Sequence, residues 1–403
     1  MSTLQAKFTP IRLLALAAVL PWLVPAHGQT AAPAAAVPSS AKPASKSAEP
    51  AGGIPVKVTP DMTGAGIVSS GVTLSAIPPV TGNRSKPVAS WGKPLPYPIV
   101  IADRRNNRLI EIAPDKHIVW EFPSPSLAVY RGNEDVNFSA DGSQLAVSEE
   151  DNFDVHLVDY NQRALTWTYG TPDHRGKGKD LLNYPDDTHL LADGKVVTAD
   201  IRNCRIVIID PKTNEIVTQW GTTGQCKHNP PTQLDYANGA TPMANGDLLV
   251  TEISGSWISR ITRDSKVLWS VKAPHIRYPS DAFPTVDGKQ IIVADFSKPG
   301  RVVIFDPATG KVTWEYFVKD GIGALDHCSI ARELPDTGDI LIVDDLHDRV
   351  LVIDRQTKAI IWQYGELNKK GHTPGLLNYP DGFDIDVFHD WKAALKQPTS
   401  AKP

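Results

Sequence analysis

From residue 97 to residue 388 the chain runs in short apolar segments separated by Gly, Asn and Asp. The clearest unit spans 186–220: DDTHLLA, the turn ADG, KVVTAD, RNCR, RIVIID, PKTNE and IVTQW. β-Branched runs this short, divided by turn formers, predict four strands of an antiparallel meander. The same order restarts at 134, 238, 280 and 327. Each outer segment carries a tryptophan: Trp120, Trp167, Trp220, Trp269, Trp314 and Trp362, at a mean spacing of about 48 residues.

The first unit is incomplete. It holds YPIVIAD (97–103), RLIEIAP (108–114) and HIVW (117–120), but no leading strand. The missing strand stands at the other end, where NYPDGFDIDVF (378–388) repeats the NYPDDTHLL of 183–191. The pattern predicts an all-β, six-bladed β-propeller over 97–388, with four-stranded blades. Its ring is closed by the C-terminal strand as the innermost strand of blade 1, which leaves no open sheet edge. Strands are lettered a to d from the channel outward. The tryptophans then pack between neighbouring sheets.

Outside the ring the composition changes. Lys7 and Arg12 precede the apolar run LLALAAVLPWLV (13–24) and the small residues around Ala26-His27-Gly28, so residues 1–28 read as a secretory signal peptide. The mature chain is expected to be exported, periplasmic or extracellular, with no transmembrane domain. Residues 29–52 read as an Ala/Pro-rich flexible linker, 53–96 as an extended N-terminal arm and 389–403 as a C-terminal tail. Within the arm, GIVSSGVTLSAI allows a short strand or two on the ring, or a wrap-around segment. The net charge of −4 and the lack of a basic stripe exclude nucleic acid as an expected partner.

Strand alternation places the short a–b and c–d turns on one face and the b–c and d–a loops on the other. The d–a loops at 170–185, 221–237 and 364–381 are long and varied. Functional residues concentrate on such loops, so this face is expected to bind a ligand or protein partner. Its candidate binding residues are Arg104, Arg105, Asp187, Asp281, Asp326, Asp381, His174, His228 and His372. The starts of the a strands add Asp135, Asp186, His189, His327 and Asp384 at the channel mouth. Asp187, His189, Asp281, His327 and Asp384 form a candidate metal set, for Ca²⁺ through oxygen or Zn²⁺ through nitrogen. The other reading of these residues is turn capping around a water-filled channel.

A second series ends the b strands with Asp103, Asp200, Glu252, Asp295 and Asp345, while Arg108, Arg205, Arg301 and Arg349 open strand c. Its repetition reads as architecture. Trp257 and His347 break the pattern. Of three cysteines, Cys204 and Cys226 lie on neighbouring loops of one face and are expected to pair as a disulfide; a soft-metal site with His228 is the alternative. Cys328 is expected to be buried and inert.

The segments RVLVIDRQTKAIIWQYG and VVIFDPATGKVTWEY resemble the quinoprotein-like (PQQ-like) repeat, and YPDDTHLLADGKVVTADIRNCRIVIID resembles the NHL repeat. The resemblance covers about 97–388 and implies architecture more than activity. No quinone cofactor is expected, because the chain has neither extra blades nor a spare central tryptophan. The peptide-amidating lyases are similar in being six-bladed NHL-type rings. That likeness implies a metal-dependent lyase or hydrolase, with His189 and His327 as catalytic candidates. The stretch LDHCSIARELPDTGDILIVDD (325–345) resembles bacterial arylsulfate sulfotransferases. It implies group transfer through His327 or His189, with Arg104, Arg105 or Arg332 neutralising an anion. The residues themselves spell out no acid–base dyad or nucleophilic triad, and binding on the loop face is the leading expectation.

Overall fold

A computed structural model describes residues 75–76, 95–123 and 126–392. The expected signal peptide and linker, and nearly all of the arm, lie outside the described residues. Blade 1 consists of Pro380–Ile385, Ile99–Asp103, Arg108–Ile112 and Ile118–Phe122, in that order from the channel outward. The closing strand is therefore the C-terminal one, with Phe383 opposite Ile101. Blade 2 follows as Asn133–Phe138, Gln144–Glu149, Asp154–Asp159 and Ala164–Gly170. Blade 3 is Pro185–Leu190, Val196–Asp200, Arg205–Asp210 and Glu215–Trp220.

Blade 4 comprises Ala237–Pro242, Leu248–Glu252, Trp257–Ile261 and Val267–Lys272. Blade 5 comprises Pro279–Pro284, Ile291–Asp295, Arg301–Phe305 and Val312–Phe317. Blade 6 comprises Ala331–Glu333, Ile340–Asp344, Arg349–Ile353 and Ile360–Gly365. The b and c strands are nearly continuous Val, Ile and Leu because neighbouring blades cover both their faces. The d strands alternate instead; in Glu215–Trp220 exposed and half-buried residues take turns up to the buried Trp220.

The tryptophans are not equivalent. Trp120, Trp167, Trp269, Trp314 and Trp362 each pair with the fourth residue of strand c: Glu111, Leu157, Arg260, Ile304 and Val352. Trp220 pairs with the second, Ile206, the position opposite Phe122, Tyr169, Tyr316 and Tyr364 in other blades. Blade 3 thus moves its large indole two residues along the strand and fills the usual place with Thr218. Trp120 shows the packing role plainly. It stacks on Tyr160 at 5.0 Å and donates its indole N–H to the Tyr160 carbonyl at 2.8 Å.

Beyond the closing strand, His389–Asp390 pairs in parallel with Ser75–Ala76. His389 is buried and stacks on Tyr160 at 3.9 Å. The segment read as a loose tail therefore begins with residues docked on the ring. Cys204 and Cys226 form a disulfide with Cα atoms 5.2 Å apart, which takes both sulfurs from a metal. Cys328 is free and buried.

Candidate functional site

The innermost strands enter the channel through a residue with left-handed backbone in five blades: Gly132, Tyr184, Tyr236, His327 and Tyr379. Counting from it, with Tyr278 in blade 5, aligns the strands in layers. The third layer holds Glu134, Asp186, Asn238, Ser280, Ser329 and Asp381; the fourth holds Asp135, Asp187, Gly239, Asp281, Ile330 and Gly382. The sixth holds Asn137, His189, Thr241, Phe283, Arg332 and Asp384. His189 belongs near the a–b turns and His327 to the loop side, so strand direction places the two histidines at opposite mouths. The clusters of described residues close enough to hold one ion include neither.

Side chains close over the loop-side mouth. Arg104 is buried, donates to Asp381 and to Glu150 (2.6 Å), and lies over the Tyr379 ring at 5.5 Å. Arg202 spans the rings of Tyr184 and Tyr236 at 5.6 and 5.5 Å. Arg105 is exposed and faces Asp151. The loop histidines do not converge. His174 contacts the Pro172 carbonyl, and His372 lies 3.4 Å from Arg108. His228 bonds Glu252 at 2.7 Å and stacks on Trp257 at 4.0 Å. His327 bonds Asp326 at 2.6 Å, and Lys298 reaches the same carboxylate at 2.6 Å. The b-strand series also needs one correction. Asp344, not Asp345, pairs with Arg349; Asp345 accepts from Ser329 and faces Asp381.

At the opposite mouth all six residues of the sixth layer line a cavity of about 640 Å³. The turn residues Met243 and Thr285 and the C-terminal Phe388 complete its wall. Arg332 pairs with Asp384 and lies 5.0 Å over the Phe283 ring. Asp384 also accepts from the Phe138 N–H at 2.8 Å. His189 Nε2 bonds Asp187 Oδ1 at 2.6 Å, linking this funnel to the carboxylates behind it. Sequence reasoning missed the funnel because the a–b turns are minimal. The available signal was the sixth position, where His, Thr, Phe, Arg, Asp and Asn alternate in an otherwise repetitive strand.

Behind the funnel, Asp135, Asp187 and Asp281 bring one oxygen each within 4.8 Å of one another, a donor set suited to a hard cation. Asp281 Oδ1 is buried without a hydrogen bond. Asp187 accepts from the Ala240 N–H at 2.5 Å and Thr241 Oγ1 at 3.1 Å. Of the expected metal set, Asp187 and Asp281 are thus together, while His327 and Asp384 are engaged elsewhere. Burial first, then neighbouring carboxylates, pushes Glu134, Asp135, Asp281 and Asp345 well above the usual carboxylate range. Burial raises Asp186 as well.

These groups hold protons in the folded ring that the unfolded chain releases. Their contribution is full below the unfolded values near pH 4 and is lost as pH rises through the raised folded values. In chelator, the melting temperature is therefore expected to be higher at about pH 5 than at about pH 8. Circular dichroism melts across that range check the sign, and a midpoint that climbs steadily with pH would contradict it.

A family profile described as outer membrane protein assembly factor BamB, of the PQQ-like type, matches residues 151–332. The fold is similar to that of a protein of unknown function from Bacteroides caccae, at 16% identity and TM-score 0.53, covering 73% of this chain and 100% of that one. Virginiamycin B lyase from Staphylococcus aureus is more distant, at 16% identity and TM-score 0.41, with 57% of this chain and 69% of that chain covered. No curated protein matches the sequence. The chain is a six-bladed β-propeller, and its residues 151–332 are similar to proteins of the PQQ-like type. Among the described residues no helix is long and apolar enough to cross a membrane.

Proposed function

We propose that the chain is an exported binding propeller that takes a small ligand into the funnel at the turn-side mouth. The observation that carries this reading is the cavity of about 640 Å³, a size typical of small-molecule sites. Its wall joins the apolar surfaces of Phe283, Met243 and Phe388 to the polar groups of Arg332, Asp384, His189 and Asn137. That mixture suits a ligand with an apolar body and an acidic group. A guanidinium has five donors, and the Asp384 contact uses only part of the Arg332 set. The loop face is the weaker choice because Arg104 is committed to ion pairs and the loop histidines stand apart. Export rests on the leader-like residues 1–28 and on the disulfide, which persists in oxidising compartments.

Anilinonaphthalene sulfonate, an aromatic anion, is the probe. Saturable fluorescence enhancement at one site is expected. Thr241→Trp, which fills the cavity, should abolish it, and Arg332→Met should weaken it about tenfold, as loss of a charged hydrogen bond implies. Arg105→Ala should leave it unchanged. Loss in Arg105→Ala with retention in Thr241→Trp would move the site back to the loop face.

A further inference from the structure

We propose that blade 2 contains a buried site for a zinc-class divalent metal ion, held by Glu149, Asp154 and His156 and separate from the funnel. The starting observation is a break in the repeat. In blades 1, 3 and 6, the Arg that opens strand c donates its Nε–H to the Asp that ends strand b. The pairs are Arg108–Asp103 at 2.8 Å, Arg205–Asp200 at 2.7 Å and Arg349–Asp344 at 2.7 Å. In blade 2 the paired positions are Glu149 and Asp154, so two carboxylates stand where an ion pair belongs. Two residues further, where those blades carry Ile110, Val207 and Leu351, stands His156.

The three side chains converge. His156 Nε2 lies 3.3 Å from Glu149 Oε1 and 3.5 Å from Asp154 Oδ1. All three residues are at least 98% buried, and none of these three atoms makes a hydrogen bond. Their remaining polar atoms are satisfied. Asn152 Nδ2 donates to Glu149 Oε2 at 2.8 Å and to Asp154 Oδ2 at 3.2 Å, while His156 Nδ1 bonds Thr168 Oγ1 at 2.8 Å. Supporting contacts of this kind orient metal ligands by occupying the atom that does not bind. The Tyr130 hydroxyl, also buried and without a partner, belongs to the same cluster, its ring 6.0 Å from His156.

The distances decide the class of ligand. A tetrahedral zinc ion bound at about 2.0–2.2 Å has ligand–ligand edges of about 3.3–3.6 Å. One imidazole nitrogen with two carboxylate oxygens suits zinc better than calcium, which takes more oxygens. An imidazolium alone is the poorer occupant, because its single Nε2 proton can serve only one of the two free oxygens. Blade 4 places its histidine differently. There too strand b ends on Glu and strand c opens without Arg, on Trp257, but His228 makes one direct 2.7 Å bond to Glu252.

The test is metal content of the purified full chain after zinc loading and dialysis. Wild type is expected to hold about one more equivalent of zinc than the double variant Asp154→Arg/His156→Val, which rewrites blade 2 in the pattern of blades 1, 3 and 6. Chelator should lower the melting temperature of wild type and leave that of the variant in place. Cobalt(II)-loaded wild type should show the visible absorption bands of a tetrahedral site, a readout that holds even if the variant fails to fold. Equal zinc content and chelator response in the two proteins, or cobalt(II) without tetrahedral bands, would overturn the proposal.

Discussion

Removing residues 380–403 is expected to abolish cooperative folding of the ring. The truncation takes away the innermost strand of blade 1 and exposes the ladder edge of Ile99–Asp103, five residues that are buried in the closed ring. It also strips Arg104 of Asp381 and Arg332 of Asp384, leaving two arginines without their channel partners. An uncovered edge of this kind templates pairing with another chain. Circular dichroism should show no sharp thermal transition, and size exclusion should show association. A truncated monomer melting cooperatively near the wild-type midpoint would refute the closure argument.

Arg349→Ala is expected to cost about 3–5 kcal/mol, the range for breaking one side of a buried ion pair. Arg349 is almost wholly buried, and its guanidinium contacts Asp344 at 2.7 Å, the Ala324 carbonyl at 3.1 Å and Gln363 at 3.3 Å. Truncation leaves the buried Asp344 carboxylate with the Asp326 N–H at 2.7 Å and His347 Nδ1 at 3.0 Å. Replacing both partners, as in Arg349→Met/Asp344→Leu, should cost less than the single change because no charge is stranded. Urea denaturation gives the difference from midpoint and slope. A single-variant loss below about 1 kcal/mol would show the pair to be no more than a surface-type bridge.

The ring itself was readable from the chain because each blade repeats its apolar spacing and its turn residues. The missing first strand could be located at 378–388 by the same logic, since NYPD marks a strand start in two places. Register was less readable. Trp220 lies two residues along the ladder from the place of the other tryptophans, a shift that the unequal loop lengths between blades hide in the spacing. Asp345 and Asp344 are adjacent, and only pairing geometry shows which of them meets Arg349. The funnel was hidden because turn length says nothing about the space between six strands; that space depends on side chains drawn from every blade. For Glu149, Asp154 and His156 the signal was present as an aspartate in place of the arginine that opens strand c, although convergence of the three atoms requires the fold.

The position of the closing strand also sets an order in time. Blade 1 begins at Ile99, yet its innermost strand ends at Ile385, so a chain emerging N-terminus first holds an unfinished blade until Ile385 has appeared. Blades 2 to 6 can form as local meanders while this is so, because each is complete within its own stretch of sequence. The final step is then a single strand sliding into a waiting slot, fastened just behind by His389–Asp390 pairing with Ser75–Ala76. The circuit therefore closes only once Pro380–Ile385 is free to reach Ile99–Asp103, after the strands of every other blade have been made.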